Sequence, residues 1–195
     1  MHFDAESQRV LDTAAGLGAE YADVRFAETR DEHIEVRNGI VNSLSDGESA
    51  GFSVRALVNG AWGFASSAQI DDAELDRVAA LAVSIARASG RVKGQAITLV
   101  PSPAYTDSYK TPFETDPATI PLGDRVNYLL AVEKEVRAAK GVTVARAWMD
   151  IWRTKKFFAN TDGSKIEQEL LQCGSALHAL AVGEGDVQDR CYPGT

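Results

Sequence analysis

His2, His33 and His178 are the histidines of this 195-residue chain, and no two of them stand a helical turn apart. Cys173 and Cys191 are its cysteines, and neither has another cysteine two to four residues away. Locally built zinc sites gather their ligands by such short spacings, so none is expected from these residues. His33, in the alternating polar segment Asp31-Glu32-His33-Ile34-Glu35, reads as a solvated strand position. His178 lies in the apolar run Ala176–Val182 and reads as a hydrogen-bonded core histidine, while His2 belongs to the N-terminal end. No Gly-x-Ser-x-Gly elbow and no Gly-x-x-x-x-Gly-Lys-Ser/Thr loop is present, which removes the usual hydrolase and phosphate-binding signatures. Gly183-Glu184-Gly185 lacks the third glycine of a dinucleotide loop, and its acids would repel a pyrophosphate.

Binding chemistry has more candidates. Arg55, on the less apolar face of its strand, could hold a substrate carboxylate, with a structural ion pair as the simpler account. Trp62 and Phe64, beside a glycine turn, could line a peptide groove, with core packing as the simpler account. The acidic residues Asp31, Glu32 and Glu35 read as a solvated strand and turn. Lys155-Lys156-Phe157-Phe158 has the look of a single-strand nucleic-acid platform but reads as an ordinary strand with a charged start. Cys173 and Cys191 flank the turn at Gly183 and are read as reduced thiols, with a disulfide or a shared metal left open.

The balance of 20 Lys+Arg against 28 Asp+Glu, a net charge of −8, argues against duplex DNA as a partner. Apolar residues make up 45% and charged residues 25%, as in ordinary globular proteins. No apolar run reaches the ~20 residues of a membrane span. The N-terminal residues lack the pattern of a secretory signal, so a cytoplasmic, reducing setting is expected.

Three helices are predicted. Ala5–Leu17 carries Val10, Leu11, Ala14 and Leu17 on one face, with Asp4 as N-cap and Gly18 past its end. Asp71–Arg87 opens on a capping box formed by Asp71 and Glu74. Asp124–Lys140 turns Val126, Leu129, Leu130 and Val136 inward and stops at Gly141. Strands are expected at Ala22–Ala27, His33–Arg37, Ile40–Leu44 and Gly51–Val58, with hairpin turns at Asn38-Gly39 and Asn59-Gly60. Five prolines between Pro101 and Pro121 mark Ser102–Pro121 as an extended connector. Val142–Ile151 and Thr154–Ala159 read as strands leading to a turn at Asp162-Gly163.

The pattern recurs. Gly18, Gly39, Gly51 and Gly60 are matched by Gly141, Gly163, Gly174 and Gly183 at offsets of 123 or 124 residues. Helix end, hairpin turn and alternating strand return in one order, which points to internal duplication. The expected fold is therefore α+β: two similar units of one helix and an antiparallel sheet. The expected divisions are 1–89, a first unit with a second helix; 90–121, a Pro-rich connector; and 122–195, a second unit that reads as cut short at its C-terminal end.

The segments Tyr21-Ala22-Asp23-Val24-Arg25, Asn38-Gly39, Gly51-Phe52-Ser53-Val54-Arg55 and Gly60-Ala61-Trp62-Gly63-Phe64-Ala65 resemble the N-terminal half of the TldD/PmbA (TldE) family, the modulators of DNA gyrase. Ala159-Asn160-Thr161-Asp162-Gly163 and Gln188-Asp189-Arg190-Cys191-Tyr192-Pro193 are similar to its TldD branch. The resemblance implies a cytosolic metallopeptidase that acts on unfolded peptides and works as a dimer. It also implies a zinc site of His-Glu-x-x-x-His type in the C-terminal half, of which no residue is found in this chain. The expectation is thus the non-catalytic N-terminal half of a TldD-like zinc metallopeptidase, with no catalytic or metal residue of its own. It would wall the substrate cavity, support a C-terminal domain and share in dimer contacts. Arg55, Trp62 and Phe64 are the candidate substrate contacts. The alternative is a stand-alone interaction or regulatory module without enzymatic activity.

Overall fold

The computed structural model describes residues 3–92 and 94–194, so His2 lies outside the described residues. In chain order the elements are α1 (Asp4–Gly16), β1 (Tyr21–Arg37), β2 (Ile40–Val58), β3 (Ala61–Ser67), α2 (Asp72–Ser89), β4 (Thr106–Lys110), α3 (Leu122–Arg137), β5 (Val142–Asn160), β6 (Lys165–Gly183) and β7 (Asp186–Tyr192). The strands pair in the order β3-β2-β1-β5-β6-β4, with β7 also on β6. β2–β3 and β6–β7 are antiparallel, and β4–β6 is parallel. The class is α+β, as the alternation and capping signals require.

Several short strands predicted apart are continuous. The polar stretch between Ala27 and His33 does not break β1, because its side chains find partners on neighbouring elements. Thr29 meets Thr154 at 3.3 Å, Arg30 donates to Asp46 at 2.7 and 3.2 Å, and Glu32 accepts from Arg125. β2 and β5 likewise run unbroken for 19 residues each. The Pro-rich segment is also more ordered than a connector. Pro103 and Pro112 flank β4, which pairs with β6, and a 3-10 turn forms at Pro117–Thr119. Proline excludes itself from a ladder, but not a five-residue strand lying between two prolines.

Compact packing divides the chain into two units, each drawing on both sides of the Pro-rich segment. The first comprises Met1–Thr29, Ser49–Lys110 and Thr154–Leu170. Its core joins Ala22, Val24 and Phe26 of β1 to Phe52, Val54, Ala56 and Val58 of β2, under Val10 and Ala14 of α1 and the Leu75–Ala86 stripe of α2. The Phe26 ring stacks on Phe3 at 4.2 Å and on Phe52 at 5.5 Å, and Phe157 meets it edge-on at 6.4 Å. α2 is capped as the sequence predicts, with the Asp71 carboxylate accepting from the Glu74 N–H at 2.9 Å. α1 is not capped by Asp4. Phe3 is its N-cap, and the Asp4 carboxylate instead binds Lys165 at 2.6 Å. Arg9 ties α1 to α2 through Asp72 and Asp76. Gly63 of β3 faces α2 so closely that an added Cβ would lie 1.9 Å from the Ala82 carbonyl oxygen.

The second unit comprises Arg30–Glu48, Thr111–Arg153 and Leu171–Thr195. Ile34, Val36, Leu129 and Ala147 form its core, with Val126, Leu130, Met149 and Leu177 at the margin. The buried stripe of α3 is more charged than its apolar spacing suggests, because Arg125 and Glu133 lie beside Leu129 in it. Glu133 accepts from the Gly39 N–H at 3.1 Å. Asn38 and Gly39 have φ of 48° and 83°, the positive pair a type I′ turn needs. Asn38 Oδ1 accepts from the Ala145 N–H at 2.9 Å, so the predicted turn is also stitched to β5.

Candidate functional site

Side chains alternate across a strand. In the first unit Phe52, Val54 and Ala56 of β2 therefore enter the helix-covered core, while Ser53, Arg55 and Leu57 take the other face. The β2–β3 register sets Ser53 beside Ser66, Arg55 beside Phe64 and Leu57 beside Trp62 on that second face. β1 contributes Tyr21, Asp23 and Arg25 to it, since Ala22, Val24 and Phe26 are core.

Asp23 is the centre of this face. Its side chain is 0% exposed, yet it accepts from Arg55 at 2.6, 2.9 and 3.2 Å and from Arg25 at 2.5 Å. A buried carboxylate is tolerated only with such pairing. Arg55 lies over the Trp62 ring at 5.1 Å, and Arg25 lies over Phe158 at 5.0 Å. Trp62 meets Tyr21 edge-on at 5.7 Å. Burial pushes the Tyr21 phenol above its ordinary value, against the Asn160 amide, which donates to it at 3.4 Å. The result is a row in which Arg55 and Arg25 flank the buried Asp23 and each lies over an aromatic ring.

Next to this row is an open hollow of about 870 Å³. Arg25, Ala27, Thr29, Ser49, Gly51, Ser53, Ser66, Lys156, Phe158 and Gln168 line it. Small side chains on adjacent strands leave the depression, and the larger Arg25, Lys156 and Phe158 border it. Phe26, Phe52 and Phe157 also line it, although their rings belong to the core on the helix side. The volume falls in the range of ligand-binding pockets.

The second unit holds its polar groups in separate pairs. His33 Nδ1 meets Asp150 at 2.7 Å, and His178 Nε2 meets Asp189 at 2.9 Å. His178 is thus hydrogen-bonded but half-buried rather than core, because its strand neighbour β7 leaves that face open. Cys191 pairs in register with His178, not with Cys173, and both thiols are free. Burial raises the Cys173 thiol above its ordinary value. Among the described residues no three His, Cys, Asp or Glu side chains converge on a metal-sized space.

Glu35 accepts from Arg146 at 2.5 Å and from Asn42 at 2.6 Å, and the Arg146 bond holds its carboxyl below the ordinary carboxylate value. A depressed pKa stabilises the fold above the ordinary value, and the contribution is lost as pH falls through the depressed one. Acid unfolding of the wild type followed by circular dichroism should therefore steepen below pH 4.5, whereas Glu35→Gln should show a shallower fall. Parallel acid curves for the two proteins would remove this role from Glu35.

The sequence candidates are distributed as follows. Arg55 forms the ion pair that its simpler account anticipates. Trp62 and Phe64 do not enter the core, because Gly63 and Ala65, which alternate with them, take the helix-facing positions. Phe64 is 56% exposed. Asp23, Arg25 and the hollow itself are not among the sequence candidates. The Tyr21–Arg25 alternation places Asp23 opposite Val24, and that was the available signal. The two thiols and the Lys155-Lys156-Phe157-Phe158 stretch are not gathered into one site, for Phe157 is core and Phe158 carries Arg25.

Residues 22–86 match the PmbA/TldA metallopeptidase domain 1 family. The metalloprotease MJ0996 of Methanocaldococcus jannaschii is 24% identical over 169 residues, 87% of this chain and 37% of its own length. A metalloprotease of Methanothermobacter thermautotrophicus is likewise 24% identical over 169 residues, 87% of this chain and 36% of its own length. Among solved structures, a candidate modulator of DNA gyrase from Bacteroides thetaiotaomicron superposes with a TM-score of 0.77 at 16% identity, over 96% of this chain and 43% of that one. TldE of Thermococcus kodakarensis gives 0.67 at 12% identity, over 95% and 42%. This chain thus spans little more than a third of the curated relatives it matches. At these identities the structural likeness is one of fold.

Proposed function

This chain carries a TldD/PmbA-family N-terminal domain, and on that premise we propose that it is the non-catalytic part of a TldD-like zinc metallopeptidase acting on unfolded peptides in the cytoplasm. Its role is to wall the substrate cavity, with Arg55, Trp62 and Phe64 on the wall, and to support a metal-bearing C-terminal domain and a dimer contact. The observation that carries this reading is the open, cation- and ring-bearing face beside an 870 Å³ hollow, built largely within the matched residues 22–86. A metallopeptidase uses its metal to activate water or polarise the scissile carbonyl. On this proposal that group is zinc, held outside the 195 residues. No helix among the described residues is long and apolar enough to cross a membrane.

We also propose that 1–89 and 122–195 descend from one duplicated block. The recurrence of helix, long strand, long strand and seven-residue strand in α1-β1-β2-β3 and α3-β5-β6-β7 supports this.

The purified chain, incubated with zinc and a mixture of unfolded peptides, should yield no cleavage products by mass spectrometry. After dialysis it should retain well under one zinc per molecule. Stoichiometric zinc together with chelator-sensitive cleavage would place the chemistry in these residues and overturn the reading. The codons that follow Thr195 should encode a His-Glu-x-x-x-His motif. A native stop codon there would favour a stand-alone interaction module instead.

A further inference from the structure

We propose that the hollow bordered by Arg25, Lys156 and Phe158 binds the carboxylate-bearing stretch of an extended acidic peptide. The proposal rests on the peptide-handling reading above and adds a substrate class to it. Among the described residues two cations and no carboxylate line the hollow, in a chain with 28 acids against 20 bases. The single charge of Asp23 is shared between Arg25 and Arg55, so that trio carries one positive charge in excess. Lys156, on the neighbouring β5, adds an exposed cation to the lining, and it also borders a smaller hollow with Glu167 and Glu169.

Geometry favours a carboxylate over a phosphate-rich polymer. Arg25 commits Nη1 to Asp23 and lies over Phe158, which holds a guanidinium at the lip with less entropy left to lose on binding. Ser49, Ser53 and Ser66 supply neutral hydroxyls around the floor, suited to short carboxylate side chains and to main-chain groups. The net charge of −8 repels any polyanion at long range. Attraction must therefore be short-ranged and made by these few groups, which selects a short run of carboxylates on a flexible chain over a long, dense phosphate backbone.

The test is fluorescence anisotropy of three labelled peptides, alike except for four central Glu, Gln or Lys residues, titrated with the purified chain at low and high salt. The Glu peptide should bind about tenfold more tightly than the Gln peptide, and the gap should shrink with salt as the charges are screened. Lys156→Glu should abolish the preference and Lys156→Gln should reduce it, with Lys140→Glu, outside the hollow, leaving it intact. Either Lys156 variant alone keeps the result readable if the other fails to fold. Equal binding of the Glu and Gln peptides, unchanged by Lys156→Glu, would overturn the acidic preference and leave peptide handling standing. Failure of all three peptides to bind would overturn the hollow as a site and peptide handling by this chain with it.

Discussion

Gly63→Ala is expected to unseat α2 and destabilise the first unit by about 3 kcal/mol or more, at the upper end of what overpacking costs. The methyl would meet the Ala82 carbonyl oxygen at 1.9 Å and the Ala86 nitrogen at 2.4 Å. Both are helix backbone, so no side chain can turn away, and α2 must retreat by about 1.5 Å to restore ordinary contact. That retreat would loosen Leu75, Val78 and Val83, all within 1% of complete burial. Gly174→Ala is the control, because a Cβ there has nothing within 4 Å. It should stay within about 0.5 kcal/mol of wild type. Urea unfolding followed by tryptophan fluorescence and amide exchange in α2 would separate the two. Similar midpoints for both variants would disprove the close approach of β3 and α2.

Phe26→Ala should cost about 3–5 kcal/mol, the range for emptying a buried aromatic site. Its ring is 0% exposed and touches Phe3, Phe52 and Phe157, which cannot all close the void at once. Phe64→Ala, by contrast, removes a ring that is 56% exposed and should cost less than about 1 kcal/mol. The pair tests the face assignment directly. Thermal unfolding by calorimetry should rank Phe26→Ala far below Phe64→Ala, and the reverse order would mean that β1 and β3 present their rings to the wrong sides. Phe26 also borders the hollow from the core side. Its loss should therefore weaken peptide binding at temperatures where the variant is still folded.

The hairpin turns, the α2 cap and the inward rows of β1 and β2 were legible in the residues because each depends on partners within a few positions. Asn38-Gly39 selects its turn through the φ of two residues, and Asp71 reaches the N–H of Glu74 three residues on. Asp4 shows where this stops. It has the chemistry of a cap, yet Lys165, 161 residues away, competes for its carboxylate and wins. The stretch from Glu28 to Glu32 looked like a break in β1 for the same reason: the Thr154 and Arg125 that complete it lie far along the chain.

The binding face divides in the same way. Alternation placed Arg55, Ser53 and Leu57 together away from the core, and nothing beyond a period of two was needed for that. Which of 28 acids Arg55 would meet was not available locally, because Asp23 comes alongside only when β1 and β2 pair. Trp62 and Phe64 were hard to assign because aromatics are frequent in cores and on binding faces alike. Only the return of α2 onto Gly63 decided between them.

From its residues alone this chain declared an α+β class, its turns and caps, a recurring helix–strand–strand order, and the scarcity of metal ligands. The partner of each charge, the burial of Asp23, the seat of α2 on Gly63 and the hollow beside Phe158 came from the tertiary structure. The division has one cause. Dihedral preference and side-chain periodicity act over a few residues, whereas charge pairing and shape arise between segments whose meeting depends on the whole packing.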